Sequence, residues 1–221
     1  MSDVISEFFD THKREQHFTA GETVIHANDL PTVVFLLKEG FVKAYSIDKT
    51  GSKHLHMIFS PGKCFPLLRA LQGKTNQILC EAHSDVVVSV APVDEFLKEV
   101  NDNHKLALAL LDQTVAQFSS FTNRIENLQY SSAQERLLYR LLTLAGSFGA
   151  NTSNGYVVSL GLTHTDLASS IQVSREVVTR LLRQFRSKGL VVYDRASFTV
   201  HPSALLAELR DNSLALADFG L

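Results

Sequence analysis

The densest concentration of chemically capable side chains lies in VSREVVTRLLRQFRSKG, residues 173–189. Arg175, Arg180, Arg183, Arg186 and Lys188 are interleaved there with Val177, Val178, Leu181, Leu182 and Phe185. At helical spacing the apolar residues form one stripe, and Arg175, Glu176, Thr179, Arg180 and Arg183 turn away from it. Arginine pairs bidentately with guanine O6 and N7, and glutamate accepts from cytosine N4. Such a face suits base edges. Ordinary solvated helices also carry charged faces, so the face alone does not decide.

The neighbouring residues do. Thr163-His164-Thr165-Asp166 fits a capping box and starts a short helix that runs to about Ser170. Ile171-Gln172-Val173 makes a turn, Ser174 caps the arginine-bearing helix, and Gly189 ends it. LVVYDR and SFTVH follow as a hairpin, and a last helix follows Pro202. Two capped helices, a tight turn and a hairpin describe a winged helix-turn-helix. The N-terminal residues of its second helix are the ones that reach bases. Thr163, His164 and Thr165 could hold phosphates, as could Lys188 and Arg195 near the wing.

Elsewhere the chemistry is sparse. His54 and His56 alternate with Leu55, Met57 and Phe59, so one face of a strand bears imidazoles and the other packs a core. Cys64 and Cys80 are the only cysteines, too few for a disulfide framework or a four-thiolate cluster. Cys64 beside Lys63 could have a lowered thiol pKa, although no partner base is visible. No GxSxG, HExxH, P-loop or dinucleotide fingerprint occurs, which argues against an enzyme.

The positioning elements can be read from the rest of the chain. Its 221 residues, 45% hydrophobic and 20% charged, suit a soluble globular protein of two modules, or of one of about 200 residues. The formal net charge of −2 gives no bulk attraction to nucleic acid, so binding must come from a local patch. Between residues 17 and 93, short apolar runs are separated by turn residues at regular spacing, which predicts an antiparallel sandwich or barrel. PVDEFLKEV starts a helix of moderate length at Pro92. A longer helix follows over 103–130, with Leu111, Val115, Phe118, Phe121, Ile125 and Leu128 spaced close to the period of a helix–helix seam. No charge falls between Asp112 and Arg124, so that stretch should be buried, against the first domain or, as a seam of about five turns favours, against the same helix of a second subunit. Ser132-Ala-Gln-Glu135 is a capping box that opens another helix, GANTSNG reads as a plain loop, and YVVSL as a short strand. The N-terminus lacks an apolar signal core and no run approaches the roughly 18 apolar residues of a membrane span, which predicts a cytoplasmic protein.

LTHTDLASSIQVSREVVTRLLRQFRSKGLV resembles the DNA-binding motif of the CRP/FNR superfamily of bacterial transcription regulators. Ser174, Arg175, Glu176 and Arg180 carry the resemblance most closely. Phe18, Gly21, Asp29, Gly40, Val42, Tyr45, Gly51 and Gly62 resemble the spaced pattern of the family's β-roll. The sequence departs at Gln172, where the family often has glycine. The resemblance implies an α+β protein. It would have an N-terminal antiparallel, jelly-roll-like β-roll sensor over 1–102, a dimerisation helix over 103–130 and a winged helix-turn-helix over 131–221. It implies a homodimer that recruits RNA polymerase and reads a palindrome with TGTGA-like half-sites. It also places a cyclic-nucleotide cassette after Gly62. Pro66-Leu67 stands there in place of the family's Gly-Glu, and Asn76-Gln77 in place of its Arg-Ser. Both charged anchors are missing, and a buried phosphate without counter-charge is costly. Cyclic AMP should therefore bind poorly. A pocket of Phe65, Pro66, Leu67, Leu71, Asn76 and Gln77, closed by Phe121 and Thr122, would take another effector. Haem with a ligand among His54, His56, His83 or Cys64, an apolar metabolite, a thiol signal or no ligand all remain open. So does a haem-dependent gas or redox sensor of the same family.

Overall fold

The computed structural model describes residues 2–75, 77–130, 132–194, 196–209 and 216–221. The chain forms two compact units that meet between Ser120 and Phe121.

The first unit begins with α1 (Ser2–His12), followed by β1 (Glu15–Phe18), β2 (Thr23–Ile25), β3 (Val33–Glu39), β4 (Val42–Ile47), β5 (Lys53–Phe59) and β6 (Cys64–Phe65). Then come α2 (Leu67–Gln72), β7 (Leu79–Ala82), β8 (Val86–Pro92), α3 (Val93–Asp102) and α4 (His104–Tyr130). Two four-stranded sheets form, in the orders β1-β8-β3-β6 and β2-β7-β4-β5, and all their pairings are antiparallel. The run VVFLL explains the layering. Phe35 and Leu37 face the other sheet together with Val42, Phe59 and Val88. Val34 and Leu36 face outward and are covered by Phe9, Phe96 and Leu106 from three helices. A strand buried on both faces needs a continuous apolar run rather than an alternating one. Gly40 turns β3 into β4 at φ 80°, where a Cβ would lie 2.1 Å from the Asp85 carbonyl oxygen.

The second unit contains the end of α4, α5 (Ala133–Phe148), β9 (Ala150–Thr152), β10 (Gly155–Val158), α6 (His164–Ser170) and α7 (Arg175–Ser187). It continues with β11 (Val191–Tyr193), β12 (Phe198–Val200), α8 (Pro202–Ala207) and a 3₁₀ turn at Leu216–Phe219. Its sheet has the order β11-β12-β10-β9. GANTSNG is therefore not a plain loop: its first residues form β9 and pair with β10. The polar composition concealed an exposed edge strand, which has no apolar face to betray it. Leu137, Leu138, Leu141, Leu142 and Leu144 of α5 are wholly buried and form the floor of this unit.

The long helix is buried at its start and exposed along much of its predicted seam. Leu106, Ala109 and Leu110 bury into the first unit. Four of the six seam residues do not: Leu111 and Val115 are each 54% exposed, Phe118 71% and Ile125 55%, while Phe121 and Leu128 are half-buried. The first domain is thus not what covers them. No helix is long and apolar enough to cross a membrane among the described residues.

Candidate nucleic-acid interface

Local hydrogen bonds fix both helices of the motif. The Asp166 amide donates to Thr163 Oγ1 at 3.1 Å, and the Thr163 amide donates to Asp166 Oδ2 at 3.0 Å. This reciprocal box starts α6. Ser174 Oγ accepts from the Val177 amide at 3.4 Å and starts α7. At the other end, Gly189 stands at φ 72°. The Leu190 amide reaches back to the Phe185 carbonyl and the Gly189 amide to that of Arg186. Those two bonds make a Schellman stop. Between the helices, Gln172 adopts φ 55°. The left-handed turn is therefore present where glycine is the easier residue, and a glutamine side chain bears its strain.

Burial separates the two faces of α7. Val178, Leu181, Leu182 and Phe185 are at most 3% exposed. Val177, at the rim of the stripe, is only half-buried. Arg175, Glu176, Arg180 and Arg183 are exposed. Glu176 is held below the usual carboxylate range by its own backbone amide and the Ser174 hydroxyl, so it is an acceptor at neutral pH. Arg186 lies over the Tyr193 ring at 5.7 Å, joining the end of α7 to the wing.

Of the remaining sequence candidates, Thr163, His164, Thr179 and Lys188 have structural partners. Thr163 Oγ1 donates to Asp166 Oδ2 at 2.8 Å and is occupied by the cap. Thr165 is exposed on the first turn of α6. Lys188 is paired with Glu208 at 2.6 Å, a contact the sequence reading missed because Glu208 lies 20 positions away. Arg195 lies outside the described residues. His164 Nδ1 meets Thr179 Oγ1 at 2.9 Å, and the Thr179 hydroxyl donates to the Arg175 carbonyl at 2.9 Å. Thr179 has one proton and has used it, so His164 Nδ1 carries the hydrogen of this pair. Burial, then the charges of Arg175 and Arg183, lower the His164 pKa. The neutral ring leaves Nε2 without a proton.

In the first unit, Phe65 is fully buried and stacks on Phe59 at 4.8 Å, while Leu67 packs into the helix-covered cluster. Pro66 is half-buried, and Leu71 is 47% exposed. Gln77 accepts from Arg69 at 3.3 Å, and Gln72 accepts from it at 3.2 Å. Asn76 lies outside the described residues. Phe121 and Thr122 belong to the second unit. Leu55 and Phe59 point into the core, as the alternation predicts. His54 pairs with Asp48 at 2.9 Å and His56 with Ser46 at 2.8 Å. Cys64 is not activated by Lys63: burial pushes its thiol up to about 12, and that of Cys80 likewise. No group of metal-ligating side chains occurs among the described residues.

A double-sheet sensor-like unit followed by two capped helices and a wing defines a protein of the helix-turn-helix DNA-binding class. Residues 15–103 match the cyclic nucleotide-binding domain and residues 135–209 the Crp-like helix-turn-helix domain. The chain belongs to the CRP/FNR family of transcription regulators, which are not enzymes. It is 25% identical to the Global nitrogen regulator of Nostoc sp. over 86% of either chain. The structure of FixK2 from Bradyrhizobium japonicum superposes with a TM-score of 0.77 at 18% identity, covering 88% of this chain and 96% of that one. The c-di-GMP responsive global regulator CLP of Xanthomonas campestris gives 0.76 at 13% identity, covering 91% and 99%.

Proposed function

We propose that this chain is a homodimeric, cytoplasmic regulator that reads a palindromic operator with Arg175, Glu176, Arg180 and Arg183. Its sensor would answer to an effector other than cyclic AMP. The observation that carries the reading is the division of α7: one face is sealed into the unit, and the other holds three exposed arginines and an ionised glutamate. Base contacts come from Arg175, Glu176 and Arg180, and TGTGA-like half-sites suit their donors and acceptor. His164 and Thr165 face phosphates, and Thr163, Ser174 and Thr179 position the helices that do the reading. The exposed seam of α4 supports pairing with a second copy, because its spacing fits a helix–helix interface. Two α7 helices would then enter successive major grooves about 34 Å apart. RNA polymerase is the partner through which such a dimer acts.

The sensor reading is supported by Pro66 and Leu67. Leu67 is 6% exposed in an apolar cluster, where no carboxylate is available for a ribose hydroxyl. No observation favours the haem alternative: His54 and His56 already have hydrogen-bond partners on their own hairpin.

Fluorescence anisotropy on a palindromic TGTGA-type duplex, titrated against salt, tests the first half. Tight binding with a steep salt slope is expected, and equal affinity for a scrambled duplex would refute it. Calorimetry with cyclic AMP tests the second: micromolar or tighter binding would overturn the effector reading.

A further inference from the structure

Away from the DNA-reading face, the second unit holds a cluster of arginines that no base or wing contact uses. Arg136 and Arg140 stand one turn apart on α5, so they share a face. The Nε atoms of both are enclosed and have no hydrogen-bond partner among the described residues. Arg124, near the end of α4, lies close enough for its charge to act on Arg140. Burial first, and then that like charge, bring the Arg140 pKa down to about 10. The charge that acts on Arg140 is that of a second cation.

A guanidinium held against protein without a counter-charge is unfavourable, and like charges packed beside it make it more so. Arginine forks fit the oxygens of a tetrahedral oxyanion, and several forks together fit a multiply charged one. Arg136 and Arg140 are only partly exposed, which suits a compact ligand better than the backbone of a rigid duplex. We propose that Arg124, Arg136 and Arg140 form a binding site for a phosphoryl group carried by a small phosphorylated molecule. Bound there, the anion ties α5 to the last turns of α4 and neutralises the repulsion between them. The inference stands whether or not α7 reads DNA.

The test uses the full-length protein, with ionic strength held constant by chloride. Inorganic phosphate and pyrophosphate are titrated by calorimetry and by thermal unfolding. Saturable binding tighter than about 1 mM, with a matching rise in melting temperature, is expected. Arg140→Gln should weaken binding by about tenfold or more. It should also melt no lower than the parent in phosphate-free buffer, because it removes an uncompensated charge. Arg136→Gln provides the same reading if the first variant does not fold. Absence of saturation, or unchanged affinity in a folded variant, overturns the proposal. Displacement of the phosphate by a short non-operator duplex would also overturn it, since the source of the phosphoryl group would then be DNA.

Discussion

Arg180 and His164 carry the sharpest expectations. Arg180 is exposed on the outward face of α7, and the bidentate guanine contact proposed for it would give discrimination rather than bulk affinity. Arg180→Ala should cost about 1–3 kcal/mol on the cognate operator and little on random DNA, measured by parallel anisotropy titrations. His164 should make binding depend on pH. With Nδ1 holding the proton toward Thr179, a phosphate at Nε2 needs a second proton, so binding takes one up. Affinity should rise as pH falls toward 6, and the slope should flatten in His164→Asn. Fold stability should move the other way. The folded-state pKa of His164 lies below its ordinary 6.5, so the unfolded chain binds the proton more readily. The contribution is complete above about 6.5 and is lost as pH falls toward the depressed value. Urea titrations of both proteins across pH 5–8 would show it as a steeper acid loss in the parent.

The capped helices were legible because their signals are local: Ser132, Thr163, Ser174 and Gly189 act on amides within a few residues of themselves. Ser174→Ala should destabilise the second unit by about 1 kcal/mol in urea unfolding. Gln172→Gly should be neutral to stabilising by roughly 0.5–1 kcal/mol, since relief at φ 55° outweighs the added chain entropy. Gln172→Val should destabilise. The strand run from 17 to 93 was legible as a class, but its division into two sheets was not. Non-consecutive pairings such as β3 with β8 leave no mark on spacing. The N-terminal helix α1 escaped notice because Phe8 and Phe9 find their partners in α3, far along the chain. The α2 helix is six residues long, too short to show a period. In the candidate ligand site, residue types suggested a lining, whereas Phe65 and Leu67 are used as core. Only three-dimensional packing separates those roles.

At the scale of the whole molecule, the net charge of −2 gives no bulk attraction to nucleic acid, so the proposed reading depends on a local patch such as the exposed arginines of α7. The exposed Leu111, Val115, Phe118 and Ile125 give the chain a face that should not stay in water. If the proposed homodimer forms through this face, Phe118→Glu should sediment as a monomer where the parent sediments as a dimer, and should weaken operator binding without changing the circular dichroism of either unit. The central claim, that the outward face of α7 reads sequence, is tested most directly by selection from random duplexes with the parent and with Arg180→Ala. The account predicts a palindrome for the parent whose guanine preference is relaxed at one symmetric position in the variant. Recovery of no palindrome, or of the same one with undiminished guanine preference from both proteins, would contradict it.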